Sequence, residues 1–168
     1  MVERSTRRAF LRGRFQDTNE IRPPGAAPWQ SFLDTCTRCS DCANACPEQI
    51  ITLDTDGLPV VDPRLGACTF CGACTEACPT KALTAGQPWL WHAAIASTCL
   101  SMNGVQCRAC EDYCDDRAIR FRLALAGKAS PEIDLEACTG CGACVAPCPV
   151  NAVTLARAPQ PIKETATC

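Results

Sequence analysis

The chain has 168 residues, and 16 Lys and Arg against 18 Asp and Glu give it a formal charge of −2. That balance argues against a strongly cationic nucleic-acid binder. The longest mostly apolar stretch, Trp89 to Ala96, is interrupted by His92 and falls short of the roughly 18–20 residues that a membrane-spanning helix needs. Apolar residues make up 47%, but taking out the 17 cysteines leaves about 37%, alongside 10 glycines and 13 prolines. So thin a core calls for stabilisation from another source.

Residues 1–22 form a basic arm in which Arg4, Arg7, Arg8, Arg12, Arg14 and Arg22 stand against Glu3, Asp17 and Glu20, a net charge of +3. Thr6-Arg7-Arg8-Ala9-Phe10-Leu11-Arg12 is similar to the twin-arginine export consensus. The apolar segment that should follow is replaced by Gly13-Arg14-Phe15-Gln16-Asp17. The expectation is a motif without a signal peptide, on a cytoplasmic protein. Arg7, Arg8, Phe10 and Leu11 are the candidate partner-binding residues; the plainer reading is an amphipathic helix that buries Phe10, Leu11 and Phe15. Pro23-Pro24-Gly25 is a breaker, so residues 1–35 read as arm and hinge.

Residues 36–85 read as a first module. Cys36, Cys39, Cys42 and Cys46-Pro47 make a C-x2-C-x2-C-x3-C-P motif, and Cys68, Cys71, Cys74 and Cys78-Pro79 repeat it. Between them, Ile50-Ile51-Thr52-Leu53 and Leu58-Pro59-Val60-Val61 flank the turn Asp54-Thr55-Asp56-Gly57, which predicts a β-hairpin. Residues 86–98 read as a linker whose tryptophans, Trp89 and Trp91, pack between modules. His92 is the sole histidine, too few for a Rieske centre.

Residues 99–156 repeat the plan, and residues 157–168 form a polar tail ending in Cys168, expected to be a free thiol. The third motif, Cys99, Cys107, Cys110 and Cys114-Asp115, has seven residues between its first two cysteines and lacks the proline. Either a loop is inserted and the ligand kept, or the polar insertion leaves that site more exposed and labile. Glu111, Asp112, Asp115 and Asp116 surround it with carboxylates. A strand over Ala118 to Leu125 and a return at Ile133-Asp134-Leu135 lead to the fourth motif, Cys138, Cys141, Cys144 and Cys148-Pro149.

Three thiolates two residues apart curl around the corners of one cubane, and the fourth turns away to another, which is how bacterial ferredoxins hold 4Fe–4S clusters. Disulfide frameworks have no reason to repeat this spacing, and structural zinc does not call for the third cysteine, the fourth and the proline together. The sixteen motif cysteines are therefore the expected iron ligands of up to four 4Fe–4S clusters, the third motif's being the least certain. Each cluster with its thiolates adds about −2, making the loaded protein strongly acidic. The gaps between paired motifs, 21 residues (47–67) and 23 residues (115–137), indicate a duplicated two-cluster unit.

The modules resemble bacterial two-cluster ferredoxins. That resemblance implies a small, loop-rich, cluster-stabilised α+β fold whose halves exchange their fourth cysteines. Cys36, Cys39 and Cys42 would then pair with Cys78, and Cys68, Cys71 and Cys74 with Cys46. In the second module, Cys99, Cys107 and Cys110 would pair with Cys148, and Cys138, Cys141 and Cys144 with Cys114.

Three features resemble the NapF family of ferredoxin-type proteins of the periplasmic nitrate reductase system. They are the arm Arg7 to Arg14, the irregular Cys99 to Cys114 segment followed by Ala118-Ile119-Arg120-Phe121, and the closing Cys141-Gly142-Ala143-Cys144 with Cys148-Pro149-Val150. The resemblance implies a cytoplasmic accessory protein that binds the precursor of the catalytic subunit and helps to mature its 4Fe–4S cluster before export. The alternative is an electron-transfer ferredoxin or iron–sulfur subunit feeding an oxidoreductase. No nucleophile–base pair or nucleotide loop is visible, so no enzyme activity is expected; neither is nucleic-acid binding or a membrane span. The expected state is a monomer or weak oligomer.

Overall fold

The computed structural model describes residues 20–123 and 128–157. Strands are short and paired locally. β1 (Ile51–Leu53) and β2 (Pro59–Val61) form the first antiparallel hairpin, with Ile51 opposite Val61. Its loop is held by Asp54, whose Oδ1 accepts the amides of Asp56 at 2.9 Å and Leu58 at 2.8 Å. Such a carboxylate closes a turn by standing in for a backbone acceptor. β4 (Ile119–Leu123) and β5 (Ala129–Ile133) form the equivalent hairpin in the second half. The equivalence extends to single bonds: Asp62 donates its amide to Ile50, and Asp134 donates its own to Ala118, both at 2.8 Å.

The third pair joins elements far apart in the chain. β3 (Trp91–Ile95) runs antiparallel to β6 (Val153–Arg157), and Trp91 faces Arg157, whose guanidinium lies 5.3 Å from the ring centroid. Residues 86–98, expected as a linker, thus contain a strand of the second half. The apolar run is legible in the sequence, but its partner lies 58 residues on (95 to 153), beyond any hairpin signal.

The expected hinge in residues 23–35 is also corrected. Val61 donates to the Ile21 carbonyl at 2.7 Å, and Thr84 to that of Gly25 at 2.7 Å. α1 (Trp29–Thr35) buries Phe32. Arg22 donates to Asp54 and to the Pro59 carbonyl, contacts Glu20, and lies over Trp29 at 5.1 Å. Pro23-Pro24-Gly25 ends regular structure without creating freedom, because the turn it makes is packed on Thr84. Arg7, Arg8, Phe10 and Leu11 lie outside the described residues, as does Cys168.

Among the described residues, three small apolar clusters replace a single core, and each contains cysteine or has it packed against it. Phe32, Leu58, Ala82 and Leu83 pack with Cys42; Ile119, Val145 and Val153 pack with Cys110 and Cys144. Between them Ile21, Ile50, Ile51 and Val61 of the first half meet Trp91 of the second, with Cys46, Cys68 and Cys74 at the edge. Trp91 therefore packs between the halves. No helix among the described residues is long and apolar enough to cross a membrane. The fold is small, loop-rich and mixed α/β.

Candidate iron–sulfur centres

The first three motifs are each a loop followed by a single helical turn, and the fourth ends in a non-helical turn. α2 (Asp41–Asn44), α3 (Ala73–Glu76) and α4 (Ala109–Asp112) each carry the third cysteine of their motif, Cys42, Cys74 and Cys110. The backbone curls by left-handed residues at fixed places. Arg38, Phe70 and Gly140, two residues after the first cysteine, have φ of 59°, 53° and 71°. Ser40, Gly72 and Gly142, one residue after the second, have φ of 68°, 82° and 86°. The left-handed region costs a side-chain-bearing residue about 1–2 kcal/mol, so Arg38, Ser40 and Phe70 store strain that packing and ligation must hold. At Gly140 no alternative exists: a Cβ there would overlap the Trp91 carbonyl.

A second left-handed residue follows every motif three positions past its fourth cysteine: Gln49 at 53°, Lys81 at 61°, Arg117 at 51° and Asn151 at 51°. This turn brings later amides back to sulfur. Ala118 donates to Cys114 Sγ at 3.3 Å, Ala152 to Cys148 Sγ at 3.2 Å, and Leu83 to Cys78 Sγ at 3.5 Å. Amides aimed at sulfur favour the thiolate and tune any iron it holds. At Cys78 burial works against ionisation, but the Leu83 amide and the Thr80 hydroxyl outweigh it and lower its pKa.

The third motif departs only at its start. Arg108 has φ −135° and ψ 15°, where Ser40, Gly72 and Gly142 are left-handed. The inserted residues fold into a 3-10 turn, Ser101–Asn103, and the Asn103 amide group donates to the Ser97 and Cys99 carbonyls at 2.9 and 2.8 Å. Cys99 and Cys110 are buried and Cys107 is half-buried. The insertion thus leaves the thiols of this motif no more exposed than those of the regular ones. Among the described residues, the exposed thiols are Cys39 and Cys71, in the first half. The absent proline changes little, since the turn through Asp115 ends at Arg117 as the others end at Gln49, Lys81 and Asn151.

Cys46, Cys68, Cys71 and Cys74 line one cavity of about 250 Å³, with Ile50, Ile51 and Val61. A smaller one is lined by Cys114, Cys138, Cys141 and Cys144. In both, the fourth cysteine comes from the other motif of the pair. Cys110 has Cys99, Cys107 and Cys148 as its electrostatic neighbours. Cys42 has Cys36 and Cys39 beside it and packs with Cys36 and Cys78.

The donor set fits a multi-iron cluster. Burial pushes the Cys42, Cys74 and Cys110 thiols up to about 11 and Cys144 up to about 12, and neighbouring thiols add to each. Four such thiolates are stable together only around a cationic centre. Among the described residues no three His, Cys, Asp or Glu side chains close on one point, as a single ion requires. Ligands to the separate corners of a cubane stand apart.

β3 supports the fourth motif. Trp89 Nε1 donates to the Gly140 carbonyl at 3.2 Å, His92 Nδ1 to that of Cys138 at 3.1 Å, and the Ala93 amide to Cys138 Sγ at 3.5 Å. His92 thus orients a ligand-bearing loop, a role its sequence context does not reveal.

Sequence comparisons agree with this arrangement. The 4Fe-4S dicluster domain family matches residues 35–83, and a second family of the same description matches residues 105–152, leaving Cys99 outside. The chain is 42% identical over 167 residues to the ferredoxin-type protein NapF of Haemophilus influenzae, covering 92% of this chain and 95% of that protein. It is 40% identical over 153 residues to the NapF of Escherichia coli K12, covering 89% and 93%. It is also 32% identical over 152 residues to the methylamine utilization ferredoxin-type protein MauM of Paracoccus denitrificans, covering 79% and 68%.

Proposed function

The chain belongs to the family of ferredoxin-type NapF proteins, and on that premise we propose that it is a cytoplasmic accessory protein for periplasmic nitrate reductase. In this reading it binds the precursor of the catalytic subunit and helps install that subunit's 4Fe–4S cluster before twin-arginine export. The sixteen motif cysteines hold up to four clusters, in the four sets with exchanged fourth cysteines. Arg7, Arg8, Phe10 and Leu11 contact the partner.

The observation that carries the reading is the exposure of Cys39 and Cys71 in a chain whose relatives at 40–42% identity are NapF proteins. An iron centre can be handed on only if an incoming thiolate reaches one of its corners. At Cys39 or Cys71 the acceptor's iron–sulfur bond forms as the donor's breaks, and the released cysteine takes up a proton from solvent. No electron need move. The buried third cysteines hold the remainder until the acceptor has engaged.

The test is anaerobic transfer of labelled iron from the loaded protein to the cluster-free catalytic subunit. Transfer that restores nitrate reduction, and that falls when residues 1–19 are deleted, is the expected result. Binding without iron transfer, with clusters that stay in place and cycle reversibly, would replace this reading by the electron-transfer one. The contact between successive cysteine sets favours that second reading.

A further inference from the structure

Within each half the third cysteines of the paired motifs approach one another. Cys42 and Cys74 pack around the same apolar cluster, and Cys110 and Cys144 share another. Between the halves the contact is different. The Cys68 amide donates to the Cys141 carbonyl at 2.8 Å. Beside it Gly142 lies so close to Pro63 that a Cβ on Gly142 would stand 2.8 Å from the Pro63 Cβ. The shared cluster of Ile50, Ile51, Val61 and Trp91 holds the two surfaces together.

We propose that the two halves exchange electrons at this junction, so that the four ligand sets form one line in which the second and fourth motifs are central. The line runs from the set of Cys36, through those of Cys68 and Cys138, to the set of Cys99. The path from Cys68 Sγ to Cys141 Sγ follows covalent bonds through both backbones, interrupted by one hydrogen bond. Each step would move one electron between the iron centres that neighbouring sets hold: one centre is oxidised and the next reduced, no bond is made or broken, and no proton need follow. The first electron comes from a low-potential one-electron reductant. This inference depends on the ligand assignment and not on the partner.

The arrangement has a consequence that duplication alone would not give. Two copies of a two-cluster unit joined by a tether would be electronically separate. Here the second copy is reversed against the first, so the irregular third motif becomes an end of the line, although it comes third in the chain.

The experiment uses the full chain, loaded anaerobically, reduced with dithionite and examined by low-temperature EPR alongside its iron content. Cys39→Ala with Cys107→Ala leaves the two central sets, which should give a broadened, fast-relaxing spectrum of interacting spins. Cys71→Ala with Cys138→Ala leaves the two outer sets, which should give two independent signals. Independent signals from the first variant, or interacting ones from the second, overturn the proposal. Hydrogen exchange of the Cys68 amide in the unmutated loaded protein tests the junction without any substitution. Protection of about a thousand-fold is expected, and exchange at the rate of an open chain overturns it.

Discussion

Arg22 donates to Asp54 at 2.9 Å while its guanidinium lies over the Trp29 ring. Both partners of this ion pair are about nine-tenths buried, with side-chain exposures of 10% and 11%. Removing one partner of a buried pair leaves the other charge uncompensated. Arg22→Ala should therefore destabilise the first half by about 3 kcal/mol. Arg22→Lys should recover only part of this, because an ammonium cannot serve Asp54, the Pro59 carbonyl and a ring face together. Anaerobic thermal melts of the loaded protein read the difference, and equal melting of all three proteins would refute it.

The same pair sets a pH dependence. Burial alone would raise the Asp54 pKa, but the Leu58 amide, the Arg22 guanidinium and the Asp56 amide outweigh it and hold it below the usual carboxylate range. A depressed folded value means stability that is complete above the unfolded pKa, about 3.9, and is lost as pH falls through the folded one. Asp54→Asn should accordingly be less stable than the parent at pH 7, with the gap closing below about pH 4. A gap that persists unchanged to pH 3 would show that the carboxylate charge is not involved.

Two glycines separate strain from collision. Gly86 has φ 85° and nothing within 4 Å of the point a Cβ would occupy, so Gly86→Ala should cost only about 1 kcal/mol of backbone strain. Gly140→Ala adds a collision with the Trp91 carbonyl and with Trp89 Nε1. Its effect should exceed that of Gly86→Ala by at least about 2 kcal/mol and should lower iron retention at the fourth motif. Equal iron contents and melting curves for the two variants would contradict this.

Asp115 stands where Pro47, Pro79 and Pro149 stand in the regular motifs, and its turn has the same closing residue geometry. Asp115→Pro should thus leave stability within about 1 kcal/mol of the parent and keep the iron content. Loss of iron from the third or fourth set would show that this turn differs from the others after all.

Exchange of the fourth cysteines gives the partition its own test. Cys46 lines the cavity of the second motif, beside Cys68, Cys71 and Cys74. Cys46→Ala should alter the same spectral component as Cys71→Ala and leave the component lost in Cys39→Ala intact. Matching Cys39→Ala instead would return each fourth cysteine to its own motif.

The sixteen cysteines and both local hairpins are legible in the sequence because their signals are short-range: fixed spacing, and alternating strands around Asp54-Thr55-Asp56-Gly57. The left-handed turns at Gln49, Lys81, Arg117 and Asn151 are hidden, since four different residue types occupy one conformation and none is glycine. Their common signal is the distance from the fourth cysteine. The β3–β6 pairing and the packed Pro23-Pro24-Gly25 segment depend on partners dozens of residues away, which local patterns do not encode. At the third motif a polar insertion suggests an open site, yet Asn103 and Ser101 fold it back over Cys99.

The pairing of β3 with β6 also sets an order in time. At about 5–20 residues per second of synthesis, the 58-residue offset from Ile95 to Val153 delays the arrival of β3's partner by roughly 3–12 s. The first half has its last cysteine, Cys78, and its bridge from Ala26 to Leu83 before that interval opens. During it, β3 has no strand to pair with. The first half can be metallated while the chain is still growing; the second must wait until Val153–Arg157 has been made.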